Sequence, residues 1–272
     1  MTDRPLIFHI GVQKTGTTSV QRFLEQAAPR IADRVIIRTP EEGTPMRPLG
    51  RAAVAYSLAP GKDLREALVA ALDDVLDTIP EGHQPVLISH ENLAGAMPGN
   101  GGETGLYPVL PRLLKQLDKV AQGRGFRPCY VFSSRAMDDW LPSVWAQAVR
   151  TDGYDGSWDD FRAATADLPD WPNLQRRIAN AVGEDRVTRL QVEECPDIAR
   201  RLLTIAGLPQ HVVDALPDLE VRAMERLNPN ATEFLRQLNR LDLNPHARDR
   251  VAELVARKQH LFTADAPSEG TL

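Results

Sequence analysis

Short apolar runs alternate with longer amphipathic stretches along this chain. Residues 6–10 are apolar, follow Pro5 and stop at Gly11. A run of that length between two breakers predicts a buried strand. Similar runs at 35–37, 85–89, 130–133 and 187–192 predict four more strands. A helix follows Thr17 or Thr18, with Val20, Phe23 and Leu24 at helical spacing. Over 63–79, Leu64, Leu68, Ala71, Leu72, Val75 and Leu76 share one face and predict an amphipathic helix. Further helices are predicted at 109–121, 138–150, 158–166, 171–182, 196–206, 230–241 and 246–260, with a short one near Ala52. Strands that alternate with helices predict an α/β fold: a mostly parallel sheet of five strands between two helical layers.

Two segments break the alternation. Residues 39–61 are rich in Pro, Gly and Arg, and residues 94–107 read AGAMPGNGGETGLY. The second predicts a mobile loop. The final ADAPSEGTL, residues 264–272, reads as disordered, which leaves one domain over 1–263 with a helical carboxyl-terminal part over 211–263.

Composition narrows the class. The chain has 272 residues, 42% hydrophobic and 25% charged. That is ordinary for a folded domain, and the length is enough to bury a core without disulfides or metal. Its mean hydropathy is −0.32. No apolar run approaches the ~18 residues of a membrane span. The formal charge of −5 argues against nucleic acid or an acidic membrane as the main partner. Two cysteines, Cys129 and Cys195, make neither a disulfide framework nor a zinc site. The start, MTDRPLIFHIG, has no secretory apolar region. A cytoplasmic protein with reduced thiols is expected. Nothing in the sequence sets an oligomeric state.

The richest chemistry follows the predicted strands, where parallel sheets bind ligands. After the first strand comes Gly11-Val12-Gln13-Lys14-Thr15-Gly16-Thr17-Thr18, opening into a helix. Two glycines five apart permit a tight loop with inward N–H groups. The helix start adds unpaired donors and the positive end of a dipole. Such a loop cradles phosphate or sulfate. Lys14 supplies a point charge, and Thr17 and Thr18 supply hydroxyls. The nucleoside triphosphatase loop places its lysine directly after the second glycine. Here Thr17 fills that slot and Lys14 lies inside the loop.

After the fourth strand come Ser133-Ser134-Arg135 and, eight residues beyond the arginine, Ser143. Arg135 at a strand's carboxyl end can grip a phosphate with its fork of donors, or pair with the nearby Asp138 and Asp139.

HIGVQKTGTTSVQ resembles the 5′-phosphosulfate loop of sulfotransferases that use 3′-phosphoadenosine 5′-phosphosulfate (PAPS), and SSRAMDDWLPSVWAQ resembles their 3′-phosphate motif. The resemblance runs from residue 5 to about 210, through VTRLQVEECPDIARRLLTIAGLP. It implies a P-loop-like three-layer fold and sulfuryl transfer with the bisphosphate (PAP) as product and no metal. The loop residues Gly11, Gln13, Lys14, Thr15, Gly16, Thr17 and Thr18, with Arg135 and Ser143, would bind the donor. The chain looks closest to the bacterial, carbohydrate-type members. It lacks the Arg-Lys-Gly-x-x-Gly segment of the cytosolic group, so no adenine contact carries over.

After the third strand stand His90 and Glu91. Sulfuryl transfer needs a base for the acceptor hydroxyl, and related enzymes use a His or a Glu at such a position. Neighbouring side chains at a strand end point to opposite sides, so one of the two is expected to act; Glu91 is preferred. His9, on the first strand, reads as a buried, satisfied histidine. The acceptor is expected to be a carbohydrate or small metabolite bearing a hydroxyl, or an amine. Residues 39–60 and 92–107 are expected to wall it, with Arg47 and Arg51 either facing it or solvated, and Trp140 and Trp145 either stacking on it or in the core. A P-loop kinase or nucleotide hydrolase, and a non-catalytic nucleotide-binding module, are the competing readings.

Overall fold

The computed structural model describes residues 3–219 and 227–263. The tail at 264–272 lies outside the described residues. The chain folds as three layers, α/β/α, around a five-stranded parallel sheet. The strands are β1 (Arg4–His9), β2 (Ile36–Arg38), β3 (Val86–Ser89), β4 (Phe126–Ser134) and β5 (Val187–Gln191), in the order β2-β3-β1-β4-β5. The helices are α1 (Thr17–Ala27), α2 (Met46–Leu58), α3 (Lys62–Asp77), α4 (Leu110–Gly123), α5 (Met137–Thr151), α6 (Trp158–Ala164), α7 (Trp171–Val182), α8 (Ile198–Ile205), α9 (Gln210–Asp214), α10 (Pro229–Leu238) and α11 (Pro245–Arg257).

β1 lies in the middle of the sheet, and its residues alternate between faces. Leu6 and Phe8 join Val86, Ile88, Tyr130 and Phe132 in one core, covered by α2, α3, α4 and α7. Ile7 joins Leu87 and Val131 in the other, covered by α1 and α8. Period-two alternation with both faces apolar is what a strand buried on two sides requires. A third, smaller cluster joins Val149 of α5 to Leu235 of α10 and Val255 of α11. The chain leaves β1 for the β2 side and later crosses to β4 on the other side, so the carboxyl end of β1 stands where the order reverses.

Four segments depart from the sequence pattern. Helix α2 runs thirteen residues, not a short turn near Ala52. Pro48 hides it in the sequence, yet proline is harmless in a first helical turn, whose N–H groups have no partner anyway. β4 starts four residues early and passes through Pro128. β5 pairs only from Tyr130 onward, so no ladder donor is missed on that side. The glycine-rich segment is packed. Ala94, Ala96, Met97, Leu106 and Tyr107 are buried, and Ala96 N–H donates to Ser57 Oγ at 2.7 Å. Helix α9 escaped the periodicity, being only five residues long. Among the described residues no helix is long and apolar enough to cross a membrane.

Candidate functional site

The loop from Gly11 to Gly16 joins the central strand to α1. Its shape depends on two glycines for different reasons. At Gly11 an added Cβ would lie 2.2 Å from Thr17 Cγ2 and 2.8 Å from His9 Cε1, so the loop could not close over the strand end. Gly16 caps α1 in the left-handed region, φ 83°, with open space where a Cβ would point. No side chain caps the helix. Its first N–H groups and the positive end of its dipole are left for a ligand.

Lys14 also holds a positive φ, 68°. A side chain there costs on the order of 1 kcal/mol, and such strain persists only where the surroundings enforce it. Those surroundings are visible. Trp140, fully buried on α5, donates from Nε1 to the Gln13 carbonyl at 2.8 Å. Tyr107 donates its hydroxyl hydrogen to Gln13 Oε1 at 2.7 Å. Thr15 Oγ1 donates to Val12 O at 2.6 Å and sits 2.9 Å from Ser133 Oγ on β4. The loop is pinned on both sides of the lysine. Lys14 Nζ donates to Gln147 Oε1 on α5 at 3.4 Å.

A cavity of about 920 Å³ opens over this loop. Gln13, Lys14, Gly16, Thr17 and Thr18 line it, and so do Arg135, Ser143 and Glu91. The two sequence motifs, more than a hundred residues apart, therefore share one space. Arg135 is half-buried and makes no ion pair with Asp138 or Asp139. Its carbonyl is fixed by Trp171 Nε1 at 2.6 Å. Ser143 donates from Oγ to Asp139 O at 3.0 Å. Glu193 carries a lowered pKa, chiefly because it accepts from Ala136 N–H, with Arg135 adding to the effect.

Three of the expected residues are not on the cavity wall. Gly11 and Thr15 are buried beneath the loop and shape it. His90 is buried against α2: a Cβ at Gly50 would meet its Nε2 at 2.1 Å. Its Nδ1 accepts from Asn92 N–H at 3.3 Å, capping the turn that follows β3. The imidazole is thus directed into the protein. Of the two residues expected after β3, Glu91 lines the cavity and His90 does not. Gln13 lines the cavity, but its side chain is engaged by Tyr107 and donates to Gly95 O at 3.1 Å. It braces the loop against the 92–107 segment.

Glu91, one residue on, lies at the wall. Gln21 Nε2 donates to its Oε2 at 2.6 Å, and His90 Nδ1 stands 3.7 Å away. Burial by itself would raise this carboxyl, but the hydrogen bonds and charge from His90 and the amide of Gln21 outweigh it and hold it at about 2. The His90 Nδ1 serves one contact at a time: donating toward Glu91 it gives the lowering above, and accepting from Asn92 it leaves Gln21 as the donor to Glu91. His9 is fully buried, 2.8 Å from Ser89 Oγ and 3.4 Å from Ser133 Oγ, and burial pushes its pKa down to about 4 despite the charge of Glu91. It is a neutral core histidine.

Of the two candidate arginines in the 39–60 segment, Arg51 lines the cavity. Arg47 turns away, donating to Pro40 O at 3.0 Å. Trp140 is core, and half-buried Trp145 packs on Trp158; neither lines the cavity. Arg22, Gln147, Arg150, Thr151 and Asp152 line it without having been singled out. A signal existed. Ser143, Gln147 and Thr151 are four apart on α5, and Thr18 and Arg22 are four apart on α1, so each set shares a helix face. Among the described residues no group of three or more His, Cys, Asp or Glu is placed to hold a metal ion.

No family model matches this chain, and no curated protein matches it. Among solved structures, a sulfotransferase from Alicyclobacillus acidocaldarius is similar at 14% identity, with 97% of each chain covered and a TM-score of 0.46. A likeness at that score decides nothing about activity.

Proposed function

We propose that this protein is a sulfotransferase that moves the sulfuryl group of PAPS to a hydroxyl oxygen in the cavity over the Gly11–Thr18 loop. The observation that carries this reading is the shared cavity. A lysine held inside a strand-to-helix anion loop faces the same space as Arg135 and Ser143. A nucleotide with phosphoryl groups at both its 5′ and 3′ positions needs two such anion sites joined by one cleft. The uncapped start of α1 and the open space at Gly16 fit the 5′ end. Arg135 and Ser143 fit the 3′-phosphate.

In this reading the acceptor oxygen attacks sulfur in line with the bridging oxygen of the 5′-phosphosulfate. The new O–S bond forms as the bridging S–O bond breaks, and its electron pair leaves with the bisphosphate. Charge grows on that bridging oxygen. Lys14, the N–H groups of the loop and the hydroxyls of Thr17 and Thr18 supply fixed positive potential there. The acceptor's proton goes to Glu91, a carboxylate at the wall of the same cavity. Held at about 2 in the free protein, it is ionised and ready at any neutral pH. An acceptor that displaces Gln21 from it would raise its basicity toward a more useful value. Placement and a preorganised positive pocket supply most of the acceleration.

Calorimetry tests the reading. Adenosine 3′,5′-bisphosphate is expected to bind without added metal, and to bind more tightly than ATP with magnesium. The reverse order would return the protein to the kinase or nucleotide hydrolase reading. Bisphosphate binding with no label transfer from PAPS to any hydroxylated compound would leave a binding module.

A further inference from the structure

One buried histidine takes no part in the donor reading. His9 ends β1, the central strand, and is fully buried. It stands two residues before Gly11, whose missing Cβ leaves room for its ring. Nδ1 is 2.8 Å from Ser89 Oγ, at the end of β3, and Nε2 is 3.4 Å from Ser133 Oγ on β4. Ser133 Oγ is in turn 2.9 Å from Thr15 Oγ1, and Thr15 Oγ1 is 2.6 Å from Val12 O. The side chains of Ser89, His9, Ser133 and Thr15 are all buried. They tie the carboxyl ends of β3, β1 and β4, neighbours in the sheet, to the anion loop.

Counting protons fixes the direction of each contact. A carbonyl only accepts, so the Thr15 hydroxyl gives its one hydrogen to Val12 O. Its oxygen is then left to accept from Ser133, whose own hydrogen is thereby committed. Were Ser133 to donate to His9 instead, two lone pairs would face each other at 2.9 Å. His9 Nε2 must therefore carry a hydrogen and donate to Ser133 Oγ. Burial pushes the pKa of the ring down to about 4, so at pH 7 it holds a single N–H proton. Nδ1 is left to accept from the Ser89 hydroxyl.

Hydrogen bonds that all run one way strengthen one another in a low-dielectric interior. This chain of them ends on the loop. Thr15 follows Lys14 directly, while Gln13, on the other flank, is held by Trp140 and Tyr107. The left-handed backbone of Lys14 lies between these two anchors. Strain of that kind lasts only where the surroundings enforce it.

We infer that His9 is a positioning residue for the anion loop: as the Nε2–H tautomer it carries a one-way relay, from Ser89 through His9, Ser133 and Thr15 to Val12 O, that keeps Lys14 in place. His9 and Thr15 both stand off the cavity wall, so their effect on a bound anion passes through the backbone of the loop. The relay follows from the geometry alone; its consequence for the nucleotide rests on the donor reading.

The test uses the full chain with 15N-labelled histidine at pH 7, where two-bond 15N–1H correlations tell a protonated ring nitrogen from an unprotonated one. His9 is identified by the signal that His9→Gln removes. The wild type is expected to carry the proton on Nε2. Thr15→Val frees the Ser133 hydrogen to turn toward Nε2, and Ser133→Ala takes the acceptor away. In both variants the proton is expected to move to Nδ1, with Ser89 accepting. Thr15→Ser keeps the hydroxyl and is expected to keep the wild-type tautomer. By calorimetry, Thr15→Val and Ser133→Ala are expected to weaken adenosine 3′,5′-bisphosphate about fivefold, as loss of one hydrogen bond would, and Thr15→Ser to stay within about twofold of wild type. A wild-type proton on Nδ1, or a tautomer that neither Thr15→Val nor Ser133→Ala moves, overturns the relay. A moved tautomer with bisphosphate affinity unchanged overturns the positioning role. Failure of the wild type to bind the bisphosphate overturns the donor reading and the positioning role with it, while the relay still stands or falls on the spectra.

Discussion

Tyr107 donates its hydroxyl hydrogen to Gln13 Oε1 at 2.7 Å, and so ties the glycine-rich segment to the anion loop. The tyrosine is fully buried and holds a positive φ of 47°. Burial raises its phenol well above the ordinary range, although the contact with Gln13 opposes this, so it remains a neutral donor. Gln13 then donates to Gly95 O, and its own carbonyl is held by Trp140. Through this chain the 92–107 segment and α5 fix the backbone next to Lys14. Tyr107→Phe leaves Gln13 Oε1 without that donor and is expected to cost about 1–2 kcal/mol of stability. Thermal melting measures that loss. Calorimetry is expected to show bisphosphate binding weakened several-fold as the loop loosens; unaltered binding would separate the tie from the site.

Lys14→Ala removes the cation from the loop and keeps the strained backbone. Label transfer from PAPS is expected to fall about 10²–10³-fold, the loss from one preorganised donor at a developing anion. Turnover at the wild-type rate would take Lys14 out of the reaction.

Arg135→Ala is expected to weaken adenosine 3′,5′-bisphosphate far more than adenosine 5′-monophosphate, because one of the two ligands lacks the group it holds. Two calorimetric titrations decide the matter. Equal weakening of both would remove Arg135 from the 3′ site.

The two cavity carboxylates are expected to affect stability with opposite signs. Glu91 sits at about 2 in the fold, against an ordinary value of 4.5. The unfolded chain binds its proton more readily, so the contribution is present above pH 4.5 and is lost as pH falls toward 2. Glu91→Gln is expected to lower stability at pH 7, by about 3 kcal/mol at most, read as a fall in Tm. Asp152 is raised to about 6 from 3.8, mainly by burial, against the lowering effects of Thr151 and Arg248. Here the folded state binds the proton more readily. The cost is absent below pH 3.8, grows between the two values and is full above pH 6. Asp152→Asn is expected to raise Tm at pH 7–8 and to leave it unchanged near pH 3.5. Melting curves across pH 3–8 check both signs, and a fall in Tm for Asp152→Asn at neutral pH would contradict the strain argued for that carboxylate.

The same difference bears on activity. In the free protein Glu91 is ionised above about pH 3, while Asp152 titrates near 6 with Arg248 of α11 as the cation acting on it. The acid limb of kcat/KM is expected near pH 6 and is expected to vanish in Asp152→Asn. A limb that survives the substitution belongs to another group.

The period of apolar residues determined the five strands and most helices, because a buried parallel strand and an amphipathic helix each leave a local signature. The anion loop was legible for the same reason: its glycines, its lysine and its helix are consecutive. Only the tertiary structure decided which side chains share a space. Local spacing could not show that His90 is directed into α2 through the gap at Gly50 while Glu91, one residue on, reaches the cavity. Nor could it show Asp152 on that wall, since its place depends on how α5 is set beside the loop by Trp140 and beneath α11 by Arg248. A strand or a helix is a matter of neighbours in sequence. A cavity is a matter of neighbours across the sheet, and those are set by packing.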